Sequence, residues 1–153
     1  ARSGQPLSSI NDRPDIAALA GADGVHLWQD DMRPGDARRI VGPRMLIGLS
    51  THSLDDVHAA VEQGANYLGA GPTFPSTTKE FAEFPGVAYL REVARATSLP
   101  VFAIGGINRE NLDEVLDAGI QRIAVSSAVT STDDPPAAVI RLREYLTGVA
   151  TSH

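Results

Sequence analysis

Six times along the chain a short apolar run halts at a polar or glycine residue, and a helix-like pattern follows. The halts read Ile10-Asn11-Asp12, Leu27-Trp28-Gln29-Asp30-Asp31, Leu49-Ser50-Thr51-His52, Gly71-Pro72-Thr73, Ile104-Gly105-Gly106 and Val125-Ser126-Ser127. Short runs rich in Val, Ile and Leu suit parallel strands covered on both faces. In a wound α/β architecture every strand C-terminus lies on one pole, so side chains remote in sequence converge there. A chain whose strands all end in groups able to bond or titrate reads most simply as an enzyme.

The pattern predicts strands near 6–10, 24–28, 45–49, 66–70, 100–104 and 121–125. Between them lie helical faces: Leu54, Val57, His58 and Val61 behind a capping Ser53; Val87, Leu90, Val93 and Ala94; Leu112, Val115 and Leu116. Pro14 suits the first turn of a helix after Asp12. Ala20-Gly21-Ala22-Asp23, Gln63-Gly64-Ala65-Asn66 and Ala118-Gly119-Ile120-Gln121 form a weak repeat. In each, the glycine reads as the residue just past a helix, with a strand following at once. One connection, from about 73 to 85, is long and polar, as functional loops are. A last helix is expected over 135–146, within a single domain of 1–146, and 147–153 reads as a tail. Six strand–helix units fall short of the eight that close a barrel, and they would also suit an open doubly wound sheet.

Composition narrows the function. A net charge of −6 argues against general attraction to nucleic acid. No apolar run approaches the ~20 residues that span a bilayer. With no cysteine there is no thiolate chemistry and no disulfide framework, and the cytoplasm is the expected compartment.

Several residues could carry chemistry, each with a plainer alternative. Asp12 and Asp31 follow adjacent strands and could share one Mg²⁺; equally, Asp12 could cap a helix and Asp31 could sit in a solvated turn. Thr73-Phe74-Pro75-Ser76-Thr77-Thr78-Lys79 joins hydroxyls to one cation, which suits phosphate or carboxylate oxygens, or else forms a polar surface loop. Gly105-Gly106 and Ser126-Ser127-Ala128 could offer backbone amides to a phosphate, or serve as a tight turn and a helix cap. His52 could act as a general acid or base, or only as a hydrogen-bonding support. His26 reads as a satisfied interior histidine. His58 and His153 invite no role, and Trp28 reads as packing.

Taken in order, these stretches resemble the thiamine phosphate synthase family. The carrying segments are Ile10-Asn11-Asp12-Arg13, Gly21 through Asp31, Ile47-Gly48-Leu49-Ser50-Thr51-His52, Gly69 through Lys79, Ala103 through Asn108, and Ala124 through Ala128. The match runs from about residue 4 to residue 146. The resemblance implies a (β/α)₈ TIM barrel, here represented by about six βα units, the family's first two being absent. It implies a Mg²⁺-dependent transferase that joins a hydroxymethylpyrimidine diphosphate to a methylthiazole ethyl phosphate, plain or carboxylated. It implies Asp12 and Asp31 as metal ligands, with Asn11, Ser50 and Lys79 on the pyrimidine diphosphate and Ser50 and Lys79 as the catalytic pair. Ser76 and Thr78 would meet the thiazole substrate, and Gly106, Ser126 and Ser127 its phosphate, with Thr77 a further substrate-binding residue. These groups are expected around one anion-holding hollow.

Three departures from the family pattern stand out. The Gln-x-Arg-x-Lys strand that meets the diphosphate has no counterpart, Trp28 stands where Gly is usual, and Ser126 replaces an aliphatic residue. The small-molecule substrates would be the main partners, with a second copy or another chain covering the open barrel edge. Two other expectations compete: a thiazole tautomerase of the same family working through His52, and a non-catalytic phosphate-binding remnant.

Overall fold

The strands pair in chain order. In the computed structural model, which describes residues 6–75 and 85–150, the strands are β1 (Ser9–Asn11), β2 (Gly24–Leu27), β3 (Leu46–Thr51), β4 (Tyr67–Ala70), β5 (Val101–Ile104) and β6 (Ile123–Ala124). They form one parallel sheet in the order β1-β2-β3-β4-β5-β6. A doubly wound sheet needs a reversal of strand order, at which the helices change faces. There is none here, and right-handed crossovers then keep every helix on the same side. The sheet is therefore six units of a barrel wall. The helices are α1 (Pro14–Ala20), α2 (Pro34–Val41), α3 (Leu54–Glu62), α4 (Gly86–Ala96), α5 (Leu112–Asp117), α6 (Ser127–Thr130) and α7 (Pro135–Ala150).

Strand alternation gives the sheet two different faces. Val25, Leu27, Ile47, Leu68 and Ala103 point toward the helices and are buried to 1% exposure or less. There they meet Ala17, Val57, Leu90, Val93, Leu112 and Val115 in one core. Each large aliphatic side chain so buried contributes about 1.5–3 kcal/mol of transfer free energy. The opposite, inner face carries His26, Ser50, Tyr67 and Phe102. Here His26 pairs in register with Gly48, Gly48 with Tyr67, Ser50 with Gly69, and Gly69 with Phe102. The glycines make room for the rings. The Tyr67 ring lies directly over Gly48, where any Cβ would collide with it.

The joints follow the repeat read from sequence: Gly21, Gly64 and Gly119 have φ of 64°, 77° and 90°. Ser53 caps α3 with a full capping box, its Oγ accepting from the Asp56 amide and the Asp56 carboxylate accepting from the Ser53 amide.

Other details depart from expectation. β1 is three residues long and lies at the end of the expected 6–10 run. α2 is a helix that the pattern above does not include, and it fully buries only Pro34 and Ala37. Its last turn is tied down by Arg38, whose Nη1 donates to the carbonyls of Gly42 and Met45 and whose Nη2 donates to Asn66 Oδ1. α7 continues to Ala150, four residues past the expected end. No helix among the described residues is long and apolar enough to cross a membrane.

Candidate active site at the C-terminal pole of the sheet

Because all six strands are parallel, their C-terminal ends share one pole, and most of the described candidates stand there. Asn11 is the last residue of β1. The next residue, Asp12, adopts φ 64°, the one positive φ at a non-glycine among the described residues. Its amide donates to the carbonyl of His26 on β2 at 2.9 Å, fixing the turn against the neighbouring strand. The N-cap of α1 is Arg13, so the capping alternative for Asp12 does not hold. A left-handed conformation at a residue with a Cβ costs on the order of 1 kcal/mol and persists only where its surroundings impose it.

Asp31 sits in a turn after β2. Its Oδ2 accepts from the Trp28 amide at 2.6 Å, while its own amide donates to the Trp28 carbonyl at 3.1 Å. The turn alternative is thus present, and it leaves Oδ1 for another partner. The Asp31 charge also reaches the His26 ring, where it partly opposes the effect of burial.

Ser50, on β3, is 6% exposed. Its hydroxyl lies 3.0 Å from His26 Nε2, and His26 Nδ1 lies 3.2 Å from the Tyr67 hydroxyl. Burial pushes the His26 pKa below its usual value, so the ring is neutral near pH 7. A neutral imidazole has one donor and one acceptor nitrogen, so the Ser50 and Tyr67 hydroxyls play opposite roles toward it. The carbonyl of Ser50 accepts from Gln29 Nε2 at 2.9 Å. Both hydroxyl and carbonyl of Ser50 are therefore held. His26 is the interior histidine expected from sequence, but its place as the hub between Ser50 and Tyr67 was not foreseen. The available signal was the two-residue alternation that puts 26, 50 and 67 on one face.

His52 is also positioned. Its Nδ1 donates to the Gly71 carbonyl at 2.5 Å, its amide donates to Asp56 Oδ2, and its ring tilts against Trp28 at 6.0 Å. Past β5, Gly105 and Gly106 take φ of 96° and 63°. A Cβ on Gly106 would stand 2.6 Å from the Pro75 carbonyl oxygen and 2.7 Å from that of Phe74, so glycine is required twice over. The Gly106 carbonyl accepts from Asn111 Nδ2, which aims the loop. Ser126 occupies the N-cap position of α6, yet its side chain makes no capping bond. The capping alternative for this serine therefore fails, and both Ser126 and Ser127 are exposed at the pole.

These groups border three adjoining hollows rather than one. Ser50, His52, Gly106, Ser126 and Ser127 line an upper hollow of about 240 Å³. Asn11, Ser50, His26 and Tyr67 line the interior of the arc, about 630 Å³. Asp31 borders a cleft of about 780 Å³ that also touches α2 and α3. Asp12 borders none of the three. Ser76, Thr77, Thr78 and Lys79 lie outside the described residues. Among the described residues no three His, Asp or Glu side chains cluster so as to hold a metal. A hydrated Mg²⁺ keeps several waters and takes one or two carboxylates besides phosphate oxygens, which is the donor type Asp12 and Asp31 supply.

Comparison with known proteins adds the following. The family model for thiamine monophosphate synthase matches residues 2–129. A thiamine-phosphate synthase of Mycobacterium sp. (strain JLS) is 54% identical over 141 residues, covering 92% of this chain and 62% of its own length. One from Rhodopirellula baltica is 46% identical, covering 90% of this chain and 38% of its own length. The chain thus spans less than two thirds of these relatives. Among solved structures, thiamine phosphate pyrophosphorylase from Pyrococcus furiosus superimposes with a TM-score of 0.86 at 40% identity, covering 94% of this chain and 68% of that one. A 3-hexulose-6-phosphate synthase, at 19% identity and a TM-score of 0.64, shares the fold alone.

Proposed function

The chain belongs to the thiamine monophosphate synthase family, and from that premise we propose that it forms the catalytic wall of a cytoplasmic transferase making thiamine phosphate and diphosphate. The substrates are a hydroxymethylpyrimidine diphosphate and a methylthiazole ethyl phosphate. The observation that carries the reading is the shared pole, where Ser50, Gly106, Ser126 and Ser127 open onto one hollow beside the acidic turns of β1 and β2. The His52-dependent tautomerase is not favoured, since the relatives reported above are synthases.

The reaction breaks the bond between the pyrimidine methylene carbon and the bridging diphosphate oxygen. The bonding pair leaves with the diphosphate, and the thiazole nitrogen then donates its lone pair to the methylene carbon. No protein nucleophile is needed. Asn11 and Ser50 hold the pyrimidine diphosphate, with the Ser50 hydroxyl aimed by His26. Lys79 meets the departing diphosphate. Asp12 and Asp31 would hold Mg²⁺, which when bound supplies positive charge against the diphosphate oxygens. Gly106, Ser126 and Ser127 offer amides and hydroxyls to the thiazole phosphate, and Ser76, Thr77 and Thr78 flank its ring. A unit charge pair ~4 Å apart at an effective dielectric of ~20 is worth about 4 kcal/mol, of which only the part gained toward the transition state accelerates the reaction.

The test is product formation. Thiamine phosphate should appear only when both substrates and Mg²⁺ are supplied, and Asp12→Asn should weaken both turnover and Mg²⁺ dependence. An unchanged Mg²⁺ titration in that variant would remove Asp12 from the metal site. Binding of thiazole phosphate without turnover, under conditions where the edges are covered, would overturn the synthase reading.

A further inference from the structure

A chain of polar contacts crosses four strands on the inner face of the sheet. Tyr67 on β4 reaches back over Gly48 on β3, and its hydroxyl meets His26 Nδ1 on β2 at 3.2 Å. Any Cβ at position 48 would collide with the phenol ring, so the glycine is what admits it. Phe102 on β5 meets the same ring edge-on, with centroids 5.6 Å apart. From His26 the chain continues through Nε2 to the Ser50 hydroxyl on β3, at 3.0 Å. At its other end, Ser9 on β1 bonds the Tyr67 hydroxyl and favours its ionised form, as a donor does.

The direction of the protons follows from the chemistry of the members. A phenol is a more acidic donor than an alcohol, and its oxygen is the weaker acceptor because a lone pair is shared with the ring. An imidazole carrying one proton therefore accepts from the phenol and donates to the alcohol. Tyr67 donates to Nδ1, the ring proton sits on Nε2, and Nε2–H donates to Ser50 Oγ. A charged imidazolium would also donate from Nε2, so the direction at Ser50 is the same in either charge state. Among the described residues Ser50 Oγ makes no other bond, and it borders both the upper and the interior hollow. Its own proton is thus left for an acceptor in that space. We propose that Tyr67 is a positioning residue: by holding the His26 proton on Nε2, it makes Ser50 a hydrogen-bond donor, and the site selects a ligand that places an acceptor there, a heteroaromatic nitrogen or a phosphoryl oxygen. The synthase reading supplies the ligand's identity, the pyrimidine diphosphate; the place of the proton on His26 is independent of that reading. Because Gly48 and Ser9 hold the phenol before any ligand arrives, little ordering cost opposes the contact.

The proton can be located directly. Long-range proton–nitrogen correlation spectra of the full chain, with the His26 signals assigned by their loss in His26→Gln, should show Nε2 protonated and Nδ1 bare. Tyr67→Phe keeps the ring over Gly48 and loses only the hydroxyl, and in it that preference should relax to a mixture. A proton on Nδ1 in the unaltered chain, or a tautomer unmoved by Tyr67→Phe, would overturn the proposal. By calorimetry with Mg²⁺ present, Tyr67→Phe and His26→Leu should weaken the pyrimidine diphosphate by about three- to tenfold, the scale of one hydrogen bond. His26→Gln sets an amide N–H where Nε2 stood and should recover most of that loss. Methylthiazole ethyl phosphate should weaken by less than about twofold in each variant. Unchanged affinity in Tyr67→Phe, or equal losses for the two ligands, would reduce the network to a brace for the sheet and leave the synthase reading standing. No binding of the pyrimidine diphosphate to the unaltered chain would defeat the synthase reading and the ligand selection together. If His26→Leu does not fold, Tyr67→Phe and His26→Gln decide between them.

Discussion

Asp12 combines a carboxylate proposed to hold metal with a backbone angle that only glycine adopts freely. The two properties can be separated. Asp12→Gly removes the charge and relieves the left-handed strain, and should lose at least tenfold in turnover in the product assay. A residue kept for its backbone angle alone would leave turnover unchanged. His26 offers a pH test. Its folded pKa lies below its unfolded value, so the folded state binds fewer protons in that interval. Stability is then unpenalised above about pH 6.5 and falls as pH drops from there toward the folded pKa, below which the penalty is constant. Thermal midpoints between pH 8 and pH 5 should decline in the parent, and His26→Asn should flatten that part of the decline. Individual polar residues at strand ends were legible as candidates, because strand termination marks the pole. Their bonding was not, since Ser50–His26–Tyr67 joins three strands and no local pattern encodes it.

At the scale of elements, α4 and α5 bury residues on the faces read from sequence, whereas in α3 Val57 is buried beside Ala60 while His58 and Val61 stand exposed. α2 buries little and relies instead on Arg38, whose guanidinium satisfies two carbonyls and the Asn66 side chain, while Asn66 Oδ1 also accepts from the Ile47 amide. Such a clamp binds the end of one helix to the starts of two strands, a long-range arrangement invisible to periodicity. Arg38→Ala should lower unfolding free energy by about 1–3 kcal/mol in urea melts, because part-buried carbonyls lose a charged donor. At the other pole, the Thr51 hydroxyl donates to the Gly69 carbonyl and the Tyr89 hydroxyl donates to Thr51, with burial and these contacts leaving the Tyr89 pKa at about 12. This link ties α4 to β3 and β4, directly beneath the segment that carries Ser50 and His52.

For the whole molecule, the sequence alone left a barrel wall and a doubly wound sheet both open, and family resemblance pointed to the first. The unbroken strand order decides it physically. The arc also leaves unequal protection. β3 and β4 have a strand on either side, while β1 and β6 pair with one neighbour each, and Leu19 and Ile140 on the flanking helices are exposed at 88% and 55%. Native-state hydrogen exchange should find the slowest amides in β3 and β4 and the fastest strand amides in β1 and β6, unless a covering chain is present.

Strand order has a further consequence for how the molecule comes into being. Every strand pairs with its predecessor in the chain, so a ribosome delivering the polypeptide from its N-terminus presents each new unit with a docking edge already built. Assembly can proceed as accretion, one strand and one helix at a time, without waiting for distant sequence to emerge.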